Sequence, residues 1–239
     1  LAWGEQAGVD IPPFDFRVPG VTSLSADTHK YGYALKGTSV LMYSRKELRS
    51  LQYFTAGGWP GGIYLSPGMA GSRSGGVIAA TWAAMVNLGA AGYLEVAKNI
   101  FDTTAKLVQG IGEIPELRIL GTPYFLVAVS SASDDLNIYH VNDGLADRGW
   151  RMNGVQFPDA FHFCITRPNT APGLIETYLA DLADAVADAK KIPAGQPPKS
   201  GALYGLSGSG PEGVRAVEEL LAGALDAFYD VPGAMPAAG

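Results

Sequence analysis

Residues 25–44, SADTHKYGYALKGTSVLMYS, constrain the fold of this chain more than any other stretch. A short polar run ends in His29-Lys30, glycines at 32 and 37 loosen the backbone, and the apolar TSVLMY follows. With VTSLSA just upstream, that order predicts strand, loop, strand, with a lysine carried on the loop. A lysine amine attacks a carbonyl only when neutral, and burial beside other cationic groups pushes it towards that state. A histidine directly before a lysine in a sparsely charged loop suits a Schiff-base site. The same tripeptide also reads as a solvated surface lysine beside a chance histidine, because short motifs recur by accident.

Composition narrows the function classes. At 47% hydrophobic and 17% charged, 239 residues suit one or two globular domains. A net charge of −6 argues against a nucleic-acid partner, which needs clustered Lys and Arg. The single cysteine, Cys164, rules out an internal disulfide and a cysteine metal cluster. It lies in the apolar FHFCIT, where a buried, inert thiol is expected. The histidines His29, His140 and His162 show no metal-ligand spacing, so no protein-bound metal is expected. The longest apolar runs are rich in Ala and Gly and fall short of a membrane span.

Residues 55–76, rich in Gly and aromatics, lack periodicity and read as a long loop, ordered or disordered, and long loops inside compact domains are usually functional. A helical pattern follows from about 76 to 114, interrupted near 89–92. Ile78, Trp82, Met85 and Val86 fit one face, and Leu94, Ala97, Ile100 and Phe101 another; both are expected to pack in a core. Beyond Pro115, LRIL, YFLVAVS and FHFCITR read as strands. DLNIYHVNDGLADRG and APGLIETYLADLADAVADAKK read as helices, the second entered through Asn169-Thr170 and Pro172. A Gly/Pro/Ser-rich linker at 194–213 precedes an amphipathic helix in GVRAVEELLAGALDAFYD, and the Ala- and Pro-rich end is expected to fray. This order of strands and helices predicts a small α/β domain after the first.

FDFRVPGVTSLSADTHKYGYALKGTSVLMYS, QYFTAGGWPGGIYLSPGMAGSRSGG and WAAMVNLGAAGYLEVAKNI together resemble the sphingosine-1-phosphate lyases. These are pyridoxal-phosphate (PLP) enzymes related to the group II decarboxylases. The resemblance continues through RGWRMNGVQFPDAFHFCIT to GALYGLSG, so it covers nearly the whole chain in order. Leu35 and Ser74 stand where that family usually has proline, which costs loop rigidity but removes no chemical group. The resemblance implies an α/β fold of fold type I, the PLP-dependent transferase class. Residues 1–105 would be part of the large cofactor domain with connecting helices, and 106–239 a small C-terminal α/β domain. Leu1 is not a methionine, and LAWGEQAGVD has no signal-peptide pattern, so the chain is expected to be a fragment whose upstream portion is missing. The part seen is expected to be soluble and cytoplasmic, with an upstream membrane anchor left open.

The resemblance also assigns roles. Lys30 matches the lysine that carries PLP, and His29 a residue that helps hold the cofactor phosphate. Lys36 matches a position that binds the substrate's own phosphate, a group needing a cation. Gly71 and Ser72 match positions that reach the PLP phosphate of a neighbouring subunit in a homodimer with a shared site. Small residues opening a helix suit such an anion site. Arg73 serves there or in an ion pair. Tyr204 matches an aromatic near the substrate entrance. Asp27 sits too close to Lys30 to reach the ring nitrogen on the far side of the cofactor, so a loop-capping role is expected. The ring acid, the stacking group and the base are implied upstream of Leu1. The implied reaction cleaves a phosphorylated long-chain base to a fatty aldehyde and phosphoethanolamine. The alternatives are a PLP-dependent amino-acid decarboxylase of the same superfamily and a non-catalytic subunit. His140 and His162 read as histidines satisfied in or beside the second domain's sheet.

Overall fold

The computed structural model describes residues 1–200 and 211–229, in two compact units, Leu1–Lys98 and Asn99–Gly239. In the first unit a short helix α1 (Ala2–Gln6) precedes β1 (Ser23–Asp27), which pairs antiparallel with β2 (Ser39–Tyr43). Both strands fall where VTSLSA and TSVLMY place them. Helix α2 (Lys46–Ser50) follows. The stretch read as one long loop contains a hairpin of β3 (Phe54–Ala56) and β4 (Tyr64–Ser66). Three-residue strands are too short to show alternation. Aromatic contacts mark the pairing instead, with Phe54 and Tyr64 ring centroids 6.0 Å apart and Trp59 edge-on to Tyr64 at 6.4 Å.

Helix α3 (Gly75–Gly112) is interrupted at Gly89, whose φ of 62° and ψ of 175° are not helical. Glycine tolerates that conformation where other residues do not. The break lies at the start of the Gly89–Gly92 interruption expected from sequence. The expectation of a core face at Ile78, Trp82, Met85 and Val86 is corrected: these side chains are 43–67% exposed. The inward stripe is Val77, Thr81, Ala84 and Leu88, at the same helical spacing but with smaller side chains. At its start the stripe meets Gly37 closely, since a Cβ at Gly37 would lie 3.3 Å from Val77 Cγ1. Length and composition would let α3 cross a membrane, with 11% of its apolar window buried. The break at Gly89 leaves a first stretch rising only about 21 Å, short of the ~30 Å hydrocarbon core. The second stretch carries Glu95, Lys98, Asp102 and Lys106.

The second unit is built on an antiparallel sheet in the order β5-β6-β8-β7. Its strands are β5 (Leu117–Leu120), β6 (Leu126–Ser131), β7 (Asn153–Val155) and β8 (Ala160–Cys164). Only β7 escapes the sequence reading, being three residues long with a central glycine. Helices α4 (Ile138–Asp147) and α5 (Leu174–Ala189) pack on each other. Val127, Val129, Phe161 and Phe163 are buried, as are Val141, Leu145, Tyr178 and Leu182 of those helices. Asn137 caps α4 by accepting from the Tyr139 amide at 2.9 Å. Before α5, Arg167–Thr170 form a 3-10 turn, and Gly173 in the left-handed region, not Asn169-Thr170, opens the helix. Helix α6 (Pro211–Tyr229) follows the linker. Cys164 is half-buried on the face shared with His162, where a fully buried residue was expected.

Tyr178 packs against Phe163 at 4.8 Å and edge-on to Trp150 at 5.1 Å. Its buried hydroxyl has no hydrogen-bond partner among the described residues, and burial pushes its pKa well above that of a free phenol. An unsatisfied buried hydroxyl costs about 1–3 kcal/mol. Tyr178→Phe should therefore hold or raise the thermal midpoint; a clear fall would show that the hydroxyl is bonded in solution.

Candidate active site

The lysine loop hangs between the facing ends of β1 and β2, where Asp27 and Ser39 sit opposite each other. Its backbone closes on itself. The Lys30 amide donates to the Asp27 carbonyl at 3.2 Å, Tyr33 to Lys30 at 3.1 Å, and Ala34 to the buried Thr28 at 3.0 Å. Tyr33 takes a φ of 57°, a conformation that side-chain-bearing residues adopt only when their surroundings impose it. Gly32 admits no side chain, because its Cβ would overlap the Thr28 carbonyl oxygen.

Electrostatics at Lys30 differ from the expectation. The side chain is 66% exposed, and its Nζ pairs with Asp27 Oδ2 at 2.8 Å. The hydrogen bond to Asp27, then its charge, raise the Lys30 pKa above the usual lysine value, where burial was expected to lower it. Asp27 is held below the usual carboxylate range, first by Lys30 and then by the Ser39 hydroxyl, which donates to Oδ1 at 2.6 Å. Its carboxylate thus binds an ammonium and a hydroxyl in place of the backbone amides expected of a loop cap. The chain alone presents a protonated lysine, and any attack on a carbonyl first requires Asp27 to give up its hold.

His29 is half-buried beside Lys30, and its Nδ1 is shielded from solvent with no partner among the described residues. Lys36 is exposed near the far end of the loop, without a hydrogen bond or ion pair among the described residues. Gly71 has a φ of 61° in the turn before α3, Ser72 is exposed, and Arg73 Nη1 donates to the Gly71 carbonyl at 3.0 Å. No hydrogen bond among the described residues joins Gly71 or Ser72 to the lysine loop. Tyr204 lies outside the described residues. His140 is buried with Nε2 on the Gln196 carbonyl at 2.9 Å, a structural role. His162 faces away from Phe161 and Phe163 on β8, and its buried Nδ1 has no partner among the described residues, so the satisfied ring expected there is not found. No group of three metal-ligating side chains occurs among the described residues.

Two contacts that the sequence did not signal reach the loop from α3. The Tyr93 hydroxyl donates to the Gly32 carbonyl at 2.7 Å. Thr81 reaches Thr28 through Thr38, with hydroxyl separations of 2.9 and 2.5 Å.

No family model matches the chain. Among full-length relatives, a sphingosine-1-phosphate lyase of Dictyostelium discoideum is 41% identical over 232 residues, 96% of this chain and 42% of that protein. The Rattus norvegicus sphingosine-1-phosphate lyase 1 is 42% identical over 230 residues, 96% of this chain and 40% of that protein. The solved structure of a Burkholderia pseudomallei sphingosine-1-phosphate lyase superposes with a TM-score of 0.81 at 48% identity, covering 96% of this chain and 47% of that one. The chain belongs to the sphingosine-1-phosphate lyase family. It matches the C-terminal portion of these lyases and spans about two fifths of the length of those relatives. A glutamate decarboxylase of Lactobacillus brevis, 19% identical with a TM-score of 0.58 over 75% of this chain, shows the shared fold alone. The fold is that of the fold-type I PLP enzymes.

Proposed function

We propose that the enzyme to which this chain contributes is a PLP-dependent lyase acting on phosphorylated long-chain bases. It would cleave a sphingosine 1-phosphate-like substrate between C2 and C3, giving a fatty aldehyde and phosphoethanolamine. Residues 1–105 serve the cofactor domain in this reading, and 106–239 form the small C-terminal domain. The observation that carries it is the pairing, on one loop, of an exposed Lys30 amine with a buried His29 Nδ1 that has no partner among the described residues. An orphaned ring nitrogen next to a reactive lysine fits a cofactor bearing both a carbonyl and a phosphate.

Within that site Lys30 supplies the amine that holds the cofactor, and Asp27 is the group it must leave when it does so. His29 Nδ1 donates to the cofactor phosphate, which would satisfy a polar atom that is otherwise buried without a partner. When bound, PLP supplies an electron sink for the charge left on the substrate's C2 as the C–C bond breaks. Gly71 and Ser72 complete the phosphate cradle of a neighbouring subunit, making the enzyme a homodimer with shared sites, and Tyr204 lines the substrate path. The ring acid, the stacking group and the base come from the upstream portion of the enzyme. A cytoplasmic setting suits a chain with a single cysteine and no disulfide.

Lys36 clamps the substrate phosphate. Its exposed ammonium, near the other end of the loop from Lys30 and without an ion pair among the described residues, supports this assignment. In the complete enzyme, Lys36→Ala should keep the cofactor absorbance near 420 nm and lower kcat/KM for phosphorylated substrate roughly ten- to hundredfold. Unphosphorylated amino compounds should be nearly unaffected. Equal losses on both, or loss of the 420 nm band, would assign Lys36 to the fold or the cofactor instead.

A further inference from the structure

We infer that Tyr93 and Thr81 are positioning residues for Lys30, tethering the lysine loop to α3 at two points that flank the lysine. The inference rests on the reading of Lys30 as the cofactor lysine. One tether ends on the Gly32 carbonyl and the other on the Thr28 hydroxyl, two residues to either side of Lys30.

The first tether is a single strong contact on a fixed ring. Tyr93 is 7% exposed, and its hydroxyl donates to Gly32 O at 2.7 Å. Trp3 stacks on the ring at 5.6 Å with an interplanar angle of 6°, and Tyr33 lies 6.5 Å away on a ring tilted by 29°. The ring is thus buried and stacked on Trp3 outside the loop while Tyr33 of the loop packs on it, so the phenol joins the loop to α3 by both packing and its hydroxyl.

The second tether is a hydroxyl relay whose protons run in one direction. Thr81 Oγ1 donates to the Val77 carbonyl at 3.0 Å and so accepts from Thr38 Oγ1 at 2.9 Å. Thr38 has then used its proton, so the single Thr28 hydroxyl proton is shared between Thr38 Oγ1 at 2.5 Å and the Thr38 carbonyl at 2.9 Å. Every hydroxyl proton in the relay is satisfied, and Thr28 and Thr81 are both buried. Removing the terminal hydroxyl at Thr81 cuts the relay at its fixed end on α3 and leaves the Thr38 hydroxyl bonded to Thr28 alone. Between the tethers lie His29, Tyr31 and the exposed Lys30 side chain. The backbone stays fixed while the amine remains free to exchange Asp27 for a carbonyl partner.

The test uses Tyr93→Phe, Thr81→Val and Thr81→Ser in the complete enzyme. Readouts are amide hydrogen exchange of the peptide spanning residues 28–37, the split between kcat and KM, and the lysine marked by borohydride reduction. Tyr93→Phe and Thr81→Val should each speed exchange at 28–37 roughly three- to tenfold, with the rest of α3 unchanged. Each should lower kcat by a similar factor, with KM for the phosphorylated substrate held. Thr81→Ser, which keeps the relay, should stay within about twofold of the parent. Unchanged exchange at 28–37, loosening spread evenly through α3, or Thr81→Ser failing as badly as Thr81→Val would overturn the tethers. A cofactor mass on another lysine, with exchange at 28–37 raised as expected, would instead overturn the Lys30 reading and the catalytic purpose of the tethers with it.

Discussion

Replacing Lys30 with alanine in the complete enzyme should abolish carbon–carbon cleavage, with a loss in kcat of about 10⁴- to 10⁶-fold, the scale seen when a covalent catalytic residue is removed. The fold should not change. The Lys30 side chain is 66% exposed and its ion pair is with Asp27, so little packing is lost with it. A thermal midpoint equal to the parent's, with a missing 420 nm band, would separate lost chemistry from lost structure. Turnover within tenfold of the parent would show that another lysine carries the cofactor.

Gly32→Ala should be the most damaging change that touches no reacting group. The added methyl would overlap the Thr28 carbonyl oxygen, a backbone atom that already accepts from the Ala34 amide and cannot swing aside. Overpacking of this kind costs about 1–3 kcal/mol. Here the strain falls on the turn that displays Lys30. Turnover should drop more than about a hundredfold if near-attack geometry is lost, together with a lower thermal midpoint. Gly57→Ala supplies the control, because a Cβ there meets nothing within 4 Å. Near-parental activity in Gly32→Ala would mean that the loop shifts without consequence and that Lys30 needs no fixed backbone.

The strand–loop–strand around Lys30 was legible because β-branched and apolar residues bracket a glycine-loosened polar run, and β1 and β2 lie where those runs fall. In the second unit, β5, β6 and β8 were legible as short apolar runs, whereas β7 was too brief to register. The outward face of α3 was misread for a different reason. Periodicity shows which residues share a side, not which side is covered, and here the covered side is the one carrying Val77, Thr81, Ala84 and Leu88. The charge state of Lys30 was also hidden. Asp27 was visible three residues away, but only the turn geometry brings its carboxylate onto the ammonium. The Tyr93 tether left no trace in the sequence at all, since its acceptor is a backbone carbonyl sixty-one residues away.

The most direct test of the Lys30 assignment is borohydride reduction of the PLP-loaded complete enzyme, followed by proteolysis and mass spectrometry of every lysine-containing peptide. The account predicts the reduced cofactor mass on the peptide containing Lys30, with none on Lys36, and its disappearance in Lys30→Ala. Cofactor mass on any other lysine, or persistent trapping in Lys30→Ala, would contradict it.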